Sequence, residues 1–335
     1  MMKIILIDCG TTNTRIRLID KHILEPIDIL RIDVGVKNTA IDNNNSVLRE
    51  SIESGVTKIL DQNNLKNEDI KHMIASGMIT SNLGLREVPH IVAPAGLSDF
   101  ADGIQKDELA GITCYYIPGL KNKDVKGKST EEDITDMDIM RGEEVEVFGL
   151  LEQQMEPENG LVILPGSHTK YIHVGKNKEI LSCFSTLGGE LIQAVQNSTI
   201  ISSSLKNGLI KEIDYNSLEA GYYSAMEEGL TRSLFKVRLL DLFTSYTENQ
   251  RANFLIGSIL HEDIEGMKFY LKENKVDWVI VGGAKFLKEG MAHLLSKAFN
   301  DVNIIKATEE QVEKSYTIGS ILVQNYKKNR SDSNV

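Results

Sequence analysis

The chain begins with a pattern of apolar and polar positions that predicts a β-hairpin. Residues 4–7 form a short, continuous, β-branched apolar run of the kind found in buried strands, and Asp8 ends it. After a polar turn, Ile16 and Leu18 alternate with arginines, as in a half-buried strand. The turn itself consists of small or polar residues, Gly10, Thr11, Thr12 and Asn13. A carboxylate at a strand end beside such a turn suits Mg²⁺ and a polyphosphate, although an ordinary Thr-rich hairpin has the same pattern.

The same pattern occurs again in the second half of the chain. Residues 161–174 contain an apolar run, a turn and an alternating strand. The turn positions Gly166, Ser167 and Thr169 fall at the offsets of Gly10, Thr11 and Asn13. Lys170 lies close to the register of Thr14 and Arg15. Two such hairpins indicate a duplicated architecture, and the pair resembles the two phosphate hairpins of the actin and sugar-kinase superfamily.

This resemblance implies an α/β fold of two duplicated actin-like, ribonuclease H-like domains with a nucleotide cleft between them. We expect the domains at residues 1–136 and 137–326, followed by a frayed tail at 327–335. Apolar periodicity predicts helices at 46–63, 145–151, 256–271, 286–299 and 316–326, mostly helical chain over 205–243, and loops at 38–45 and 121–138.

Composition narrows the class of protein. The 335 residues carry a net charge of −11, which argues against a general nucleic-acid or anionic-membrane surface. No apolar stretch is long enough to span a bilayer, and the N-terminus lacks the pattern of a signal peptide. The three cysteines are widely spaced, which favours buried thiols in a reducing cytoplasm over disulfides or metal ligands. We therefore expect a cytoplasmic protein with small-molecule ligands.

A Gly-rich polar block at residues 75–90 follows a predicted strand at 70–76. Open α/β folds commonly bind ligands at this end of a strand. Arg86 and Glu87 are suited to grip a carboxylate and hydroxyls, and a surface ion pair is the competing interpretation. We expect the pocket for the acceptor substrate to contain Ser76, Gly77, Met78, Ser81, Arg86, Glu87 and, from a later segment, Arg141.

Two adjacent glutamates, Glu143 and Glu144, begin the predicted helix after Gly142. Acidic residues in a first turn are favoured by the helix dipole, which is the structural explanation. The functional one is a general base, because a kinase needs a carboxylate to accept the proton of the attacking hydroxyl. We favour Glu143 over Glu144 for this role.

Two further glycine pairs mark turns that could lie close to a nucleoside. Gly188 and Gly189 precede a helix, where backbone N–H groups suit an anion or a ribose. Gly282 and Gly283 end a buried apolar strand, where glycine permits close approach of the backbone to a flat base. Ordinary strand-to-helix turns have the same composition.

Taken together, the motifs resemble the 2-dehydro-3-deoxygalactonokinase family. The most specific pieces are Arg-Gly-Glu-Glu at 141–144 and Leu-Pro-Gly-Ser-His-Thr-Lys at 164–170. The resemblance implies phosphorylation of a 2-keto-3-deoxy sugar acid at its terminal hydroxyl, with ATP and Mg²⁺ as cofactors, in galactonate breakdown. A homodimer is expected from the superfamily alone. The chain departs from the family at Cys9, where tryptophan is usual, and at Asn82, Leu83, Leu85 and His90, which bears on the identity of the sugar.

The resemblance assigns roles to individual residues. Asp8 holds Mg²⁺ and assists catalysis, and Glu143, or else Glu144, is the base. ATP contacts are expected at Gly10, Thr11, Thr12, Asn13, Arg15, Gly166, Ser167, His168, Thr169, Lys170, Gly188, Gly189, Gly282 and Gly283. Three alternatives remain open: a phosphohydrolase on the same fold, a kinase for another small sugar or sugar acid, and a nucleotide-dependent sensor or filament protein without catalysis.

Overall fold

The chain forms a mixed α/β structure in which hairpins and helices follow the apolar pattern. The computed structural model describes residues 3–20, 23–124, 127, 130–154, 158–205, 210–271 and 274–332, with side chains up to residue 327. The strands are β1 (Lys3–Cys9), β2 (Thr14–Asp20), β3 (Pro26–Ile32), β4 (Ile70–Gly77), β5 (Ile91–Val92), β6 (Gln105–Leu109), β7 (Ile112–Tyr116), β8 (Leu120–Lys121), β9 (Ile139–Met140), β10 (Gly160–Leu164), β11 (Thr169–Val174), β12 (Ile180–Thr186), β13 (Trp278–Val281) and β14 (Asn303–Lys306).

The helices are α1 (Val36–Asp42), α2 (Ser46–Gln62), α3 (Leu97–Gly103), α4 (Glu131–Ile134), α5 (Glu143–Gln153), α6 (Gly188–Ser198), α7 (Tyr215–Glu228), α8 (Leu230–Phe243), α9 (Glu248–Leu271), α10 (Lys285–Ala298) and α11 (Glu309–Asp332). Single 3₁₀ segments lie at Asn67–Asp69, Met78–Thr80 and Ile200–Ser204. Within the described residues, no helix is both long and apolar enough to cross a bilayer.

Two large sheets repeat one strand order. The six-stranded sheet runs β3-β2-β1-β4-β7-β6 and the five-stranded sheet β12-β11-β10-β13-β14. In each, the first strand pairs antiparallel with the second and parallel with the fourth, β1 with β4 and β10 with β13. On the other side, the fourth strand pairs parallel with one more strand, β4 with β7 and β13 with β14. This shared order is the structural counterpart of the repeated hairpin in the sequence. A small third sheet runs β5-β8-β9.

The chain divides into two compact units. Unit 1 comprises residues 1–156, 176–183 and 310–335, and unit 2 comprises residues 157–175 and 184–309. In unit 1, Ile5 and Ile7 of β1 pack with Ile52 and Val56 of α2 in one buried cluster. The domain boundary predicted after residue 136 stays a prediction.

The core of unit 2 is built between its sheet and its longest described helix. Leu161 and Ile163 of β10 and Val279 of β13 belong to one cluster with Leu255 and Ile259 of α9. α7 and α9 pack very closely: a Cβ on Gly221 would lie 2.0 Å from the Phe254 carbonyl oxygen and one on Gly257 would lie 1.9 Å from that of Leu218.

Several predicted boundaries were wrong. Residues 38–42 of the expected loop at 38–45 belong instead to α1, which begins where Gly35 packs against the first hairpin turn. The described part of 205–243 is mostly helical, as expected: it contains α7 and α8, which are separated at Gly229 by a backbone φ of +83°. Residues 206–209 lie outside the described residues. α9 begins at Glu248 rather than 256, and α11 begins at Glu309 rather than 316 and continues through Asp332.

Candidate active site

The first hairpin ends in a polar turn with a fixed backbone. The Gly10 N–H donates to the Asn13 carbonyl oxygen at 2.8 Å. The Lys37 N–H, at the start of α1, donates to the Thr11 carbonyl oxygen at 2.8 Å. The side chains of Thr11, Thr12 and Asn13 are exposed. The turn therefore presents hydroxyl and amide groups to solvent from an anchored backbone.

Asp8 lies next to the last residue of β1, and burial and neighbouring charges shift its pKa in opposite directions. It pairs with Arg15 across the hairpin, and its Oδ2 lies 3.9 Å from Arg17 Nη1. Burial raises the pKa of Asp8, while the positive charges of Arg17 and Arg15 lower it and the charge of Glu143 raises it. The Asp8 side chain is 29% exposed. Solvent therefore still reaches this carboxylate.

α5 begins beside Asp8 because of one glycine contact. Gly142 has a φ of +116°, and a Cβ on it would lie 3.0 Å from the Gly77 Cα at the end of β4. In the parallel pair, Cys9 is opposite Gly77 and Asp8 is opposite Ser76. The first turn of α5 therefore starts at the same sheet edge as the Asp8 carboxylate.

The two glutamates of that first turn have different surroundings. Glu144 is buried, and its Oε1 and Oε2 accept from the N–H groups of Leu120 at 2.8 Å and Gly142 at 2.6 Å. Burial, followed by the charge of Glu143, raises the pKa of Glu144 to about 7. Glu143 is half-buried, and its Oε2 accepts from the Arg141 N–H at 3.0 Å. Glu144 is thus tied to the backbone on both oxygens, whereas one Glu143 oxygen anchors the turn.

A close crossing of α5 and α11 supports this edge from behind. A Cβ on Gly149 would lie 1.8 Å from the Ser315 carbonyl oxygen, and one on Gly319 would lie 1.7 Å from that of Val145. The two helices therefore touch through their backbones. Within the same unit, the Tyr316 hydroxyl donates to the Ile7 carbonyl oxygen at 2.7 Å.

In unit 2, the second hairpin is held between two glycine turns. A Cβ on Gly189 would lie 1.9 Å from the Gly166 carbonyl oxygen, and one on Gly283 would lie 2.5 Å from that of Pro165. The Glu190 N–H donates to the Ser167 carbonyl oxygen at 2.9 Å. The starts of α6 and α10 therefore approach the hairpin backbone so closely that a side chain at either glycine would clash.

These turns border a cavity of about 380 Å³ in unit 2. Its rim includes Gly166, Ser167 and Gly189 from the hairpin and the start of α6. The remaining lining is largely apolar and comes from four places in the chain, Ile192, Gln193, Ile210, Ile256 and the run 284–287. A flat aromatic ligand with a polar extension at the hairpin would match this lining.

The strand pairing gives the correspondence between the hairpins. Lys170 pairs with Leu164 in the way that Arg15 pairs with Asp8. Leu164 and Asp8 each lie two residues before the glycine of their turn. Lys170 therefore corresponds to Arg15, and Thr169 corresponds to Thr14, because the second turn is one residue shorter. Counting from the glycine alone equates Thr169 with Asn13 instead.

The comparison with known families agrees with these features. The model of the 2-keto-3-deoxy-galactonokinase family matches residues 8–314, which include both hairpins, the start of α5 and both glycine turns. This chain belongs to that family. It is a sugar-acid kinase, which transfers a phosphoryl group from ATP to 2-keto-3-deoxygalactonate, also called 2-dehydro-3-deoxygalactonate. No curated protein matches the sequence.

Solved structures show the fold of the kinase. A candidate 2-dehydro-3-deoxygalactonokinase from Sinorhizobium meliloti is similar with a TM-score of 0.72 and 20% identity, over 95% of this chain and 98% of that one. An activator of 2-hydroxyisocaproyl-CoA dehydratase from Clostridium difficile with bound ADPNP is similar with a TM-score of 0.51 and 12% identity, over 99% and 98%. Component A of (R)-2-hydroxyglutaryl-CoA dehydratase from Acidaminococcus fermentans has a TM-score of 0.51 and 11% identity, over 97% and 99%. The expected actin-like fold with duplicated sheets is confirmed.

Several residues expected to contact substrate in the kinase have protein partners. The Ser76 hydroxyl is buried and hydrogen-bonds the Tyr316 hydroxyl at 2.8 Å. Ser81 is buried, and its hydroxyl donates to the Met78 carbonyl oxygen at 2.8 Å. Arg86 is exposed and pairs with Asp107 at 2.9 Å on β6. Glu87 is exposed and Met78 is half-buried.

Arg141 connects the start of α5 to the loop that follows β4. Its Nη1 donates to the Thr80 carbonyl oxygen at 2.7 Å, and its Nη2 donates to the Val88 carbonyl oxygen at 3.1 Å. His90 lies 3.0 Å from the same guanidinium. Burial, followed by the charges of Arg141 and Lys121, lowers the pKa of His90 to about 4, so this imidazole is neutral near pH 7.

In unit 2, the predicted cationic and hydroxyl residues are also partnered. Lys170 is buried, and its Nζ donates to the Ser185 hydroxyl at 2.6 Å. The exposed His168 Nε2 lies 3.1 Å from Glu190 Oε1. Thr169 is buried, and its hydroxyl donates to Asp263 at 3.1 Å. Ser167 remains exposed at the rim of the cavity.

Sequence reasoning missed two charged groups near Asp8. Glu146 is half-buried, and burial together with the charges of Asp8 and Glu143 raises its pKa to about 8, against the effect of Arg17 and Arg15. Its spacing of three residues from Glu143 could have placed both on one helix face. Arg17 is buried, with its guanidinium carbon 4.5 Å from the centroid of the Tyr316 ring. Nothing in the local sequence distinguishes Arg17 from its neighbour Arg15.

Proposed function

We propose that this kinase phosphorylates the terminal hydroxyl of 2-dehydro-3-deoxy-D-galactonate, giving the 6-phosphate, with Mg²⁺ and ATP, in galactonate catabolism. The observation that carries the proposal is the position of α5. The contact between Gly142 and Gly77 brings Glu143 to the strand ends where Asp8 lies. A carboxylate base and a cation-binding carboxylate at one sheet edge are the groups that phosphoryl transfer requires.

Glu143 is the proposed general base. It accepts the proton of the C6 hydroxyl while the hydroxyl oxygen forms a bond to the γ-phosphorus and the bond from that phosphorus to the ADP oxygen breaks. Glu144 is a poor alternative because both of its oxygens accept backbone N–H groups. We assign Glu144 to holding the start of α5 against Leu120.

Asp8 is the proposed contact to Mg²⁺, directly or through water. Among the described residues, no group of three or more His, Cys, Asp or Glu side chains is arranged as a metal site. A nucleotide-bound Mg²⁺ needs only one or two carboxylates, because phosphates and waters complete its coordination. The solvent-accessible Asp8 carboxylate fits that requirement. When bound, Mg²⁺ neutralises charge on the phosphates, and Arg15 and Arg17 add positive charge around Asp8.

The two hairpin turns are the proposed phosphate contacts, and the cavity of unit 2 is the proposed nucleoside site. In the first turn, the exposed Thr11, Thr12 and Asn13 side chains are available to phosphate oxygens. In the second, Ser167 lies at the cavity rim. The apolar lining beyond Gly189 and the side chain of Phe286 suit an adenine ring.

The sugar acid is proposed to bind near the loop that Arg141 organises. Arg141 fixes this loop through the Thr80 and Val88 carbonyl oxygens. The family departures at Leu83 and Leu85 are partly buried side chains that pack against the core of unit 1. They support the loop from inside, so their effect on sugar choice would act through the loop's shape.

The test is ATP turnover with Mg²⁺ in a coupled assay, using 2-dehydro-3-deoxygalactonate, its gluconate epimer and a panel of other sugar acids. Phosphorus NMR of the product establishes which hydroxyl carries the phosphate. Turnover of the galactonate compound, giving the 6-phosphate, is expected. A strong preference for a different acid would overturn the substrate, and ATP hydrolysis that ignores every acceptor would overturn the kinase mechanism.

A cytoplasmic location is proposed from the three cysteines, which are free and buried. A homodimer is proposed from the superfamily alone. Light scattering of the purified kinase, which measures its mass in solution, tests the second proposal.

A further inference from the structure

An acidic side chain lies buried behind the second hairpin. Asp263, on α9, is 3% exposed, and its Oδ2 accepts a hydrogen bond from the Thr169 hydroxyl at 3.1 Å. Thr169 is itself 2% exposed. The Thr169 hydroxyl therefore turns inward to the carboxylate rather than outward to the surface of the hairpin.

The same carboxylate packs against the first residue of α6. A Cβ built on Gly188 would lie 2.5 Å from Asp263 Oδ2 and 3.0 Å from its Cγ. No side chain fits there while Asp263 keeps its place. Asp263 thus lies at the N-terminal end of an 11-residue helix, where the helix dipole favours negative charge.

Neighbouring side chains affect the pKa of this carboxylate. Burial raises the pKa of Asp263, while the hydroxyls of Thr186 and Thr169 lower it and the charge of Glu262 raises it. The buried Tyr171 lies close enough for the charge of Asp263 to raise its pKa. The environment is that of a fixed acceptor inside the protein rather than a group that reaches a ligand.

The first hairpin has a related arrangement without an acid. Thr14, which corresponds to Thr169 by strand pairing, is buried and donates its hydroxyl to the Val34 carbonyl oxygen at 2.8 Å. Each hairpin therefore anchors the first residue of its second strand to the segment behind it. The second anchor is a carboxylate that abuts the first residue of α6, whereas the first anchor is a backbone carbonyl oxygen just before α1.

We propose that Asp263 is a positioning residue for the nucleotide site: it fixes the start of β11 relative to the start of α6. This inference rests on the proposed function of the unit 2 cavity. The carboxylate binds Thr169 and abuts Gly188, and the residue that follows Gly188, Gly189, lines the proposed nucleoside cavity. Asp263 thereby sets the separation between Ser167 and Gly189, which both line the cavity.

The experiment compares Asp263→Ala, Thr169→Val and the double variant with the conservative Thr169→Ser. Glu262→Gln is the matched control, because it removes one carboxylate from the neighbouring position of α9, where the side chain is 46% exposed. For each variant, KM is measured for ATP and for the sugar acid, the ADP dissociation constant by calorimetry, and thermal stability by circular dichroism.

Asp263→Ala and Thr169→Val are each expected to raise the KM for ATP and the ADP dissociation constant about tenfold, the scale of a hydrogen bond to a charged group. The double variant should be little worse than either single variant, because both remove one contact. The KM for the sugar acid should stay within about twofold, since the proposed sugar site is in unit 1. Thr169→Ser should keep the nucleotide affinity of the wild type. Glu262→Gln should leave both KM values, the ADP dissociation constant and the thermal stability unchanged.

Lower thermal stability with unchanged nucleotide constants in Asp263→Ala would overturn the inference, because the residue would then serve folding alone. If Asp263→Ala does not fold, the comparison of Thr169→Val with Thr169→Ser decides in the same way, and equal ADP affinity in those two overturns it. A wild-type kinase that binds no ADP would instead overturn the proposed nucleotide site. That result is distinguishable because it appears before any substitution is made.

Discussion

Replacing Glu143 and Glu144 by glutamine, one at a time, separates catalysis from folding at the start of α5. The two side chains are adjacent and have the same charge and size, so each variant is a matched control for the other. Glu143 is half-buried and accepts one N–H, from Arg141 at 3.0 Å. Glu144 is buried and accepts two, from Leu120 and Gly142.

The expected magnitudes follow from these contacts. General-base catalysis contributes about 10²–10⁴-fold, so Glu143→Gln should lower kcat by that factor, or about 3–5 kcal/mol of transition-state stabilisation. Its amide oxygen can still accept from Arg141, so its stability should change by less than about 1 kcal/mol. In Glu144→Gln the amide NH₂ faces one of two backbone N–H donors, which should lower the free energy of unfolding by about 1–3 kcal/mol.

The assays are kcat at saturating ATP and sugar acid, from coupled turnover, and the free energy of unfolding, from urea titration at pH 7.5. The expected result is an inactive, stable Glu143→Gln and an active, less stable Glu144→Gln. A Glu144→Gln variant that is folded but has lost 100-fold or more in kcat, beside a Glu143→Gln variant that keeps wild-type kcat, would refute the assignment.

Four further predictions concern stability and reactivity. The pKa of Glu144 is raised from 4.5 to about 7. The stability that this shift contributes is full below pH 4.5 and is lost as the pH rises through 7. In urea titrations, the loss of unfolding free energy in Glu144→Gln relative to wild type should therefore be smallest at pH 8. Gly319→Ala, whose Cβ would lie 1.7 Å from a carbonyl oxygen of α5, should lower the free energy of unfolding by about 3 kcal/mol or more, the upper range for overpacking. Gly266→Ala on α9, with nothing within 4 Å, should be neutral or stabilising by up to about 1 kcal/mol in the same titration. Burial raises the pKa of Cys9 to about 11 and that of Cys114 to about 12. A disulfide reagent at pH 8 should therefore label these two thiols only after urea is added. Rapid labelling of the native kinase would contradict their burial.

The duplicated sheets could be predicted because their signals are local. An apolar run, a turn glycine and an alternating strand lie within one short segment, and each hairpin formed where the pattern indicated. α1 could not be predicted in this way. Its residues 36–42 are polar enough for a loop, and the helix forms where Gly35 packs on the Thr11 backbone, a contact that depends on the folded hairpin.

The assignment of site residues stays a prediction, and the orientations of these side chains could not be predicted from the sequence. Both glutamates of the first turn had the same sequence signal, and their different hydrogen bonds appear only once Leu120 lies beside α5. Ser76 was predicted to lie in the pocket because it ends the predicted strand at 70–76. Its hydroxyl instead hydrogen-bonds the Tyr316 hydroxyl, 240 positions away in sequence. Asp263 gave no signal, since it is one of several acids on α9 and nothing in the local sequence reveals that Thr169 and Gly188 will lie against it.

The two hairpins share a backbone plan and differ in charge in a way that fits one reaction. At the position before the turn where the first hairpin has Asp8 opposite Arg15, the second has Leu164 opposite Lys170. A second exposed carboxylate at that position would repel the phosphates that both turns are proposed to contact. In unit 2 the acid is instead Asp263, buried and held by hydroxyls, where it can organise the backbone without facing a phosphate. The two hairpins therefore both have the positive partner, and the solvent-accessible carboxylate occurs in the first hairpin, where the cation is proposed to bind.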